Sequence, residues 1–274
     1  MVGAQAGSGL VFTGAIPELY DLYMVPMLFE PYAEDMAARV AALAPKAVLE
    51  TAAGSGVVTR ALAPLLAADA RLEVTDLSPA MLERAKARQP VDARIGWTPA
   101  DALSLPFADA SFNVVFCQFG VMFFPDRVKG FAEARRVLKP GGVFLFNAWE
   151  GLDANAVPAT VHDTMAKLFP DNPADFFARI PHGYHDPARI EADVKAAGFT
   201  NVTVTRLTKP STAPSPHEPA MALVQGTPLR NQILAREPEG LGRVTAAVEA
   251  ALRERFGDGP ITATISALVV EARG

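Results

Sequence analysis

Glu50, Asp76, Asp101 and Gln118 each stand at, or just beyond, the end of a short apolar run in the first half of the chain. Ionised carboxylates accept charge-assisted hydrogen bonds from hydroxyls or amines. Between the first two lies Ala52-Ala53-Gly54-Ser55-Gly56. A backbone without Cβ bulk approaches a ligand closely and takes positive φ freely. The helix that should follow adds unpaired N–H groups facing the same way. A strand ending in a carboxylate, a small-residue turn and a helix make a site for a nucleotide-type cofactor, without saying which. The dinucleotide pattern G-x-G-x-x-G is only partly met: Gly54 and Gly56 fit, but Thr59 fills the third glycine position. An αβ turn that needs glycine for geometry alone is the competing reading.

A second group lies in Pro181-His182-Gly183-Tyr184-His185-Asp186. His182, His185 and Asp186 could act as bases or hold a metal ion. The reading adopted is plainer: a capped loop with surface histidines, no metal site and no assigned catalytic residue. His162 and His217 carry weaker cases. Cys117, the one cysteine, sits in an apolar run and reads as a small hydrophobe.

These residues need elements to hold them. Val48–Glu50 reads as a first strand and Val57–Leu66 as a helix that Pro64 should kink or end. Leu72–Thr75 is a second strand. Ser78-Pro79 caps and starts a helix. Strands follow near 93–98, at Asn113–Gln118 and at Val143–Ala148, with a helix capped by Asp126 before a Pro140-Gly141-Gly142 turn. Asp186-Pro187 opens another helix, which Gly198 ends. Val202–Leu207 and Ile261–Val270 alternate with period two. The alternation predicts an α/β fold: a Rossmann-like, seven-stranded, mostly parallel sheet with helices on both faces and an antiparallel last strand. Ligands bind beyond the carboxyl ends of such strands, so the four polar residues should converge on one edge. Taken singly, each could equally be a strand-end polar residue facing water.

The chain is expected to be one domain of 274 residues. Residues 1–44 form a helical lid broken by Pro17, Pro26 and Pro31, with residues 1–9 frayed. Residues 45–208 form the cofactor-binding core, and 261–274 the last strand. Four prolines in 209–219 predict a stiff loop. A helix over 241–256, with Leu241, Val244, Val248, Leu252 and Phe256 on one face, makes 209–260 an inserted cap or interaction surface. The net charge of −5 and the lack of a basic stripe argue against nucleic acid as a partner. The first 38 residues lack Lys and Arg, and the longest near-apolar run, Val114 to Phe124, is too short to span a bilayer. A cytoplasmic protein without membrane insertion is the simplest reading. A homodimer stays open.

The segments VLETAAGSG, EVTDLSPAMLERA, PADALSLPFADASFNVVFCQFGVMFF and EARRVLKPGGVFLF occur in that order over about residues 46–150. As a set they resemble the class I S-adenosylmethionine-dependent methyltransferases, of the small-molecule type related to quinone-biosynthesis C-methyltransferases. The resemblance implies S-adenosyl-L-methionine as cofactor and a small-molecule methyl acceptor. It implies that Gly54 and Gly56 let the backbone reach the methionyl part, that Glu50 helps hold the amino group, and that Asp76 accepts from both ribose hydroxyls. Leu77 and Met81 would line the adenine, Asp101 would take its amino group with a backbone contact from Ala102, and Gln118 and Phe119 would flank the methionyl portion. Ala52 departs from the family, whose first loop glycine stands there; its methyl group fits if φ stays negative. In related enzymes the N-terminal segment folds over the cofactor, so Phe12, Tyr20, Tyr23, Phe29 and Tyr32 are either a shelter for a sulfonium or core packing. Trp149 either walls the acceptor pocket or covers the sheet. An S-adenosylmethionine-binding regulatory module without methyl transfer is the alternative, and a nicotinamide dehydrogenase fares worst.

Overall fold

The computed structural model describes residues 16–274. The readings placed on residues 1–9 and on Phe12 lie outside the described residues. In chain order come α1 (Ile16–Leu19), a wide π-type helical stretch (Tyr20–Phe29), α2 (Glu30–Ala42), β1 (Ala47–Glu50), α3 (Val57–Leu62), β2 (Arg71–Asp76), α4 (Pro79–Arg88), β3 (Ile95–Pro99), β4 (Phe112–Gln118), α5 (Arg127–Val137) and β5 (Leu138–Trp149). Then follow α6 (Ala156–Leu168), α7 (Phe176–Arg179), α8 (Pro187–Ala196), β6 (Asn201–Ala213), α9 (His217–Gln225), α10 (Leu229–Arg236), α11 (Leu241–Phe256) and β7 (Ile261–Arg273).

The seven strands form one sheet in the order β3-β2-β1-β4-β5-β7-β6. β1, β2, β3, β4 and β5 pair parallel, and β7 runs antiparallel to β5. Strand alternation sorts the helices onto two faces. Val143 and Leu145 join Val48, Leu72 and Phe116 beneath Met36 and Val40 of α2, Val58 and Leu62 of α3 and Leu82 of α4. Phe144 and Phe146 point the other way and pack on Phe131 of α5.

Local signals set most boundaries. Ser78 Oγ accepts from Met81 N, Asp126 Oδ1 from Lys129 N and Asp186 Oδ1 from Ala188 N, each capping the helix that follows. After α3 the chain tightens into a 3₁₀ turn, Ala63–Leu65, at Pro64. Arg94 closes that end by donating to the Ala63, Leu66 and Ala67 carbonyls.

Two expectations are corrected. Pro140-Gly141-Gly142 is not a turn before the fifth strand but a bulge within it. The β4–β5 register jumps from Phe112↔Leu138 to Val114↔Val143, with Gly141 at φ +76°. The stretch 209–213 is the end of β6 rather than loop, which leaves only 214–216 before α9. β6 is an edge strand, and an edge tolerates Pro210 because a missing N–H there breaks no required ladder bond.

The chain divides into two compact units. One holds residues 29–150, 184–208 and 266–274, with the sheet ends and α2, α3, α4, α5 and α8. The other, helical, includes residues 16–28, 151–183 and 209–265. Its α11 packs on α6 and α9, and Val161, Met165, Leu223, Val244, Val248 and Leu252 of these helices are buried. Ser211 Oγ donates to the Met27 carbonyl inside this unit. α2, placed in the N-terminal lid by the sequence, is core: Ala33, Met36, Ala37 and Val40 are buried in the apolar cluster on the sheet.

Candidate cofactor site

Parallel pairing sets the strand ends in one row. Glu50 pairs with Val74 and Phe116, two residues short of Asp76 and Gln118. Asp76 pairs with Pro99, and Gln118 with Asn147. The structure therefore brings Glu50, Asp76, Gln118 and the start of the Asp101 turn to the carboxyl edge of the sheet.

Glu50 closes β1 and is 1% exposed. Its Oε2 accepts from Thr59 Oγ at 2.5 Å, and its backbone carbonyl from Thr75 Oγ at 2.9 Å. Burial pushes its carboxyl up to about 8, against the pull of the Thr59 hydrogen bond and of Arg60; Asp76 adds to the rise. The loop beyond is tied to its neighbours, with Thr51 N donating to Phe116 O and Ala53 N to Thr75 O.

Ala52 corrects the expectation of negative φ: it sits at φ +52°. An L-residue in that region carries a steric cost that glycine avoids. Gly56, at φ +75°, has a second constraint, since a Cβ there would stand 2.8 Å from the Ala85 Cβ of α4. Residue 56 must be glycine for both reasons, and the close approach of loop to α4 depends on it.

Asp76 pins the loop to β2. Its Oδ2 accepts from Gly54 N at 2.8 Å and its Oδ1 from Ser78 N at 2.7 Å. Burial raises its carboxyl above the usual range, while both N–H bonds oppose the rise. Each carboxylate oxygen offers two acceptor positions, so one on each remains for a ligand hydroxyl. Leu77 is 72% exposed beside it, and Met81 is buried. The Asp76 carbonyl accepts from Ala100 N, which brings Asp101 and half-buried Ala102 alongside. Asp101 is exposed, and its Oδ1 accepts from Leu103 N at 2.8 Å.

At the end of β4, Gln118 Nε2 donates to Phe29 O at 3.2 Å, while its Oε1 is buried without a hydrogen-bond partner. Ser55 Oγ, in the loop, is likewise buried and unpartnered. Phe119, at φ +54°, donates its N–H to Asn147 Oδ1 at 2.9 Å and stacks on Trp149 with ring centres 3.6 Å apart. Tyr32 meets both rings edge-on, at 5.2 and 5.3 Å. Phe29 lies at 5.7 Å from Phe119 and 6.0 Å from Trp149. The sequence did not single out Thr51, Thr75, Asn147 or Gly120, and it treated Thr59 only as a missing glycine. Hydroxyls at buried positions beside a carboxylate were the available signal.

A family model described as "Methyltransferase domain" matches residues 49–146, the span of these strand ends. A demethylmenaquinone methyltransferase of Clavibacter sepedonicus is 32% identical over 178 residues, 62% of this chain and 71% of that protein. The chain belongs to the class I S-adenosylmethionine-dependent methyltransferases. A malonyl-[acyl-carrier protein] O-methyltransferase of Halorhodospira halophila is 29% identical over 236 residues, 78% of this chain and 75% of that one. The crystal structure of a phosphoethanolamine N-methyltransferase of Haemonchus contortus, in complex with phosphomonomethylethanolamine and S-adenosylhomocysteine, shares the fold. Its TM-score is 0.51 and its identity 17%, covering 95% of this chain and 60% of that one.

The methyltransferase uses S-adenosyl-L-methionine, and the edge suits that group. A buried carboxylate, a second with open acceptor positions and an unpartnered amide oxygen match an ammonium, a diol and further donors. Among the described residues, no group of three or more His, Cys, Asp or Glu could hold a metal ion. The histidines divide: His185 is exposed, but His182 is buried, not on the surface as expected, and its N–H donates to Phe177 O. No helix among the described residues is long and apolar enough to cross a membrane.

Proposed function

We propose that this methyltransferase acts on a small, partly apolar acceptor, with the cofactor held along the strand ends. When bound, S-adenosylmethionine supplies a methyl group on a sulfonium that is open to in-line attack. Glu50 meets its ammonium group, and the backbone at Gly54 and Gly56, with Ala52 shaping the turn, follows the methionyl part. Asp76 accepts from the ribose hydroxyls. Leu77 and Met81 cover the adenine, while Asp101 and Ala102 bind its edge. Gln118 and Phe119 border the methionyl side. The protein's contribution is alignment and exclusion of water, and a base is needed only for an acceptor that arrives protonated.

The observation that carries the acceptor class is the aromatic cluster of Phe29, Tyr32, Phe119 and Trp149, which begins directly after Gln118 at the ends of β4 and β5. The four rings are buried against one another and give this end of the sheet an apolar wall, which suits an apolar or ring-bearing molecule. The relatives' names point to acceptors as different as a demethylmenaquinone and a malonyl-carrier protein, so family membership leaves the acceptor open. The test is methyl transfer from radiolabelled cofactor to panels of quinols, phenols, short-chain acids and amines, with RNA and DNA in parallel. Transfer to members of the small-molecule panels alone is expected. Transfer to nucleic acid would sink the proposal.

A further inference from the structure

The charged and titratable groups that act on the buried Glu50 carboxyl come from three elements. They are Arg60 of α3, Asp76 of β2 and the buried Cys117 thiol of β4. The Arg60 charge favours the ionised form of Glu50, while its guanidinium donates to the Ser55 carbonyl at 2.6 Å. The hydrogen bond to the Glu50 carboxylate comes from Thr59 Oγ. Thr59 is 0% exposed, in the first turn of α3 between buried Val58 and Leu62, where packing alone would accept valine. Helical threonines commonly return the hydroxyl to the preceding turn's carbonyl. This one spends its proton on a carboxylate nine residues back.

We propose that Thr59 is a positioning residue for cofactor binding: its hydroxyl fixes the Glu50 carboxylate in the orientation that receives the cofactor's ammonium group. The proposal rests on the role given to Glu50 above. A donor aimed at one carboxylate oxygen leaves the other to face the ligand and stabilises the anion over the acid. With burial holding that carboxyl near 8, Glu50 of the ligand-free protein carries a proton at neutral pH. Binding a cation expels that proton, so affinity rises with pH, by up to about tenfold per unit below 8.

The test is calorimetric titration of the full chain with S-adenosylhomocysteine and with 5′-methylthioadenosine, which lacks the amino-acid end. Thr59→Val should bind S-adenosylhomocysteine about ten- to a hundredfold more weakly at pH 7, bind methylthioadenosine as before, and shift the rise in affinity to higher pH. Thr59→Ser should restore the wild-type curve. In a Glu50→Gln background, Thr59→Val should add nothing. Wild-type protein titrated at pH 7 in buffers of different ionisation enthalpy should release close to one proton per ligand, a readout that needs no variant to fold. Equal weakening of both ligands in Thr59→Val, or no proton release, overturns the proposal. So does a Thr59→Val variant that binds normally while Glu50→Gln does not. A Glu50→Gln variant with undiminished preference for S-adenosylhomocysteine would instead overturn the underlying Glu50 assignment.

Discussion

The methyl group of Ala52 occupies the space that a side chain at Gly120 would need. A Cβ at position 120 would lie 2.5 Å from Ala52 Cβ and 2.7 Å from Cys117 Sγ. Ala52 is held at φ +52°, so the loop after β1 carries an L-residue in the left-handed region and a facing glycine that makes room for it. Ala52→Gly should stabilise the ligand-free protein by about 0.5–1 kcal/mol, since relief of backbone strain outweighs glycine's extra freedom when unfolded. Gly120→Ala should destabilise by about 1–3 kcal/mol through overpacking. Combining both should recover part of that loss. Denaturant melts of the four proteins give the coupling, and strict additivity would deny the contact.

Glu50 makes the free protein less stable as pH rises. Its folded-state carboxyl lies at about 8, above its ordinary 4.5, because burial penalises the charge. A raised group contributes stability that is fully present below 4.5 and lost as pH climbs through 8. Melting temperature should therefore fall across that window, and Glu50→Gln should flatten the fall and melt higher than wild type at pH 8. The same variant should bind cofactor more weakly, so stability and binding move in opposite directions.

Asp76 joins two backbone N–H donors to the proposed ribose position. Asp76→Ala should lose about 1.5–3 kcal/mol of affinity for each hydroxyl that loses its charged acceptor. It should also loosen the Gly54 loop, whose N–H it receives. Calorimetric titration with S-adenosylhomocysteine measures the first effect. An unchanged dissociation constant in a folded variant would remove the ribose assignment.

Arg136 organises the segment that follows Asp101. It donates to the Leu105 and Phe107 carbonyls and pairs with Glu133 and Asp109, and Glu133 in turn accepts from Leu105 N. Arg136→Ala should cost about 1–3 kcal/mol by leaving those partners unmatched. Hydrogen exchange should quicken at residues 103–109 while β1 and β4 keep their protection. Unchanged exchange there would show that the loop holds itself.

Residues 16–28 lie outside the sheet-bearing unit, whereas α2 is part of its core. Deleting residues 1–28 should leave cofactor affinity within about threefold and abolish methyl transfer, since removing chain outside a packed core spares that core. Full turnover in the truncated protein would remove the lid reading.

Much of this architecture is written locally in the sequence. The strand-end carboxylates, the proline-marked helix starts at Pro79 and Pro187 and the caps at Ser78, Asp126 and Asp186 all act within a few residues, so each is legible without the fold. The parallel order and the convergence of Glu50, Asp76 and Gln118 follow from βα alternation, because successive crossovers leave every strand pointing the same way. Tertiary structure decided what depends on chain segments far apart. The room for the methyl group of Ala52 at its positive φ is left by Gly120, 68 residues away by their numbers. The continuation of β6 through Pro210 depends on its being an edge. The burial of His182 and the assembly of the helical unit from three segments depend on long-range contacts that no local pattern encodes. Thr59 shows the division within one residue. Its sequence position says only that a glycine is missing, and the closed interior around Glu50 gives its hydroxyl a carboxylate to hold.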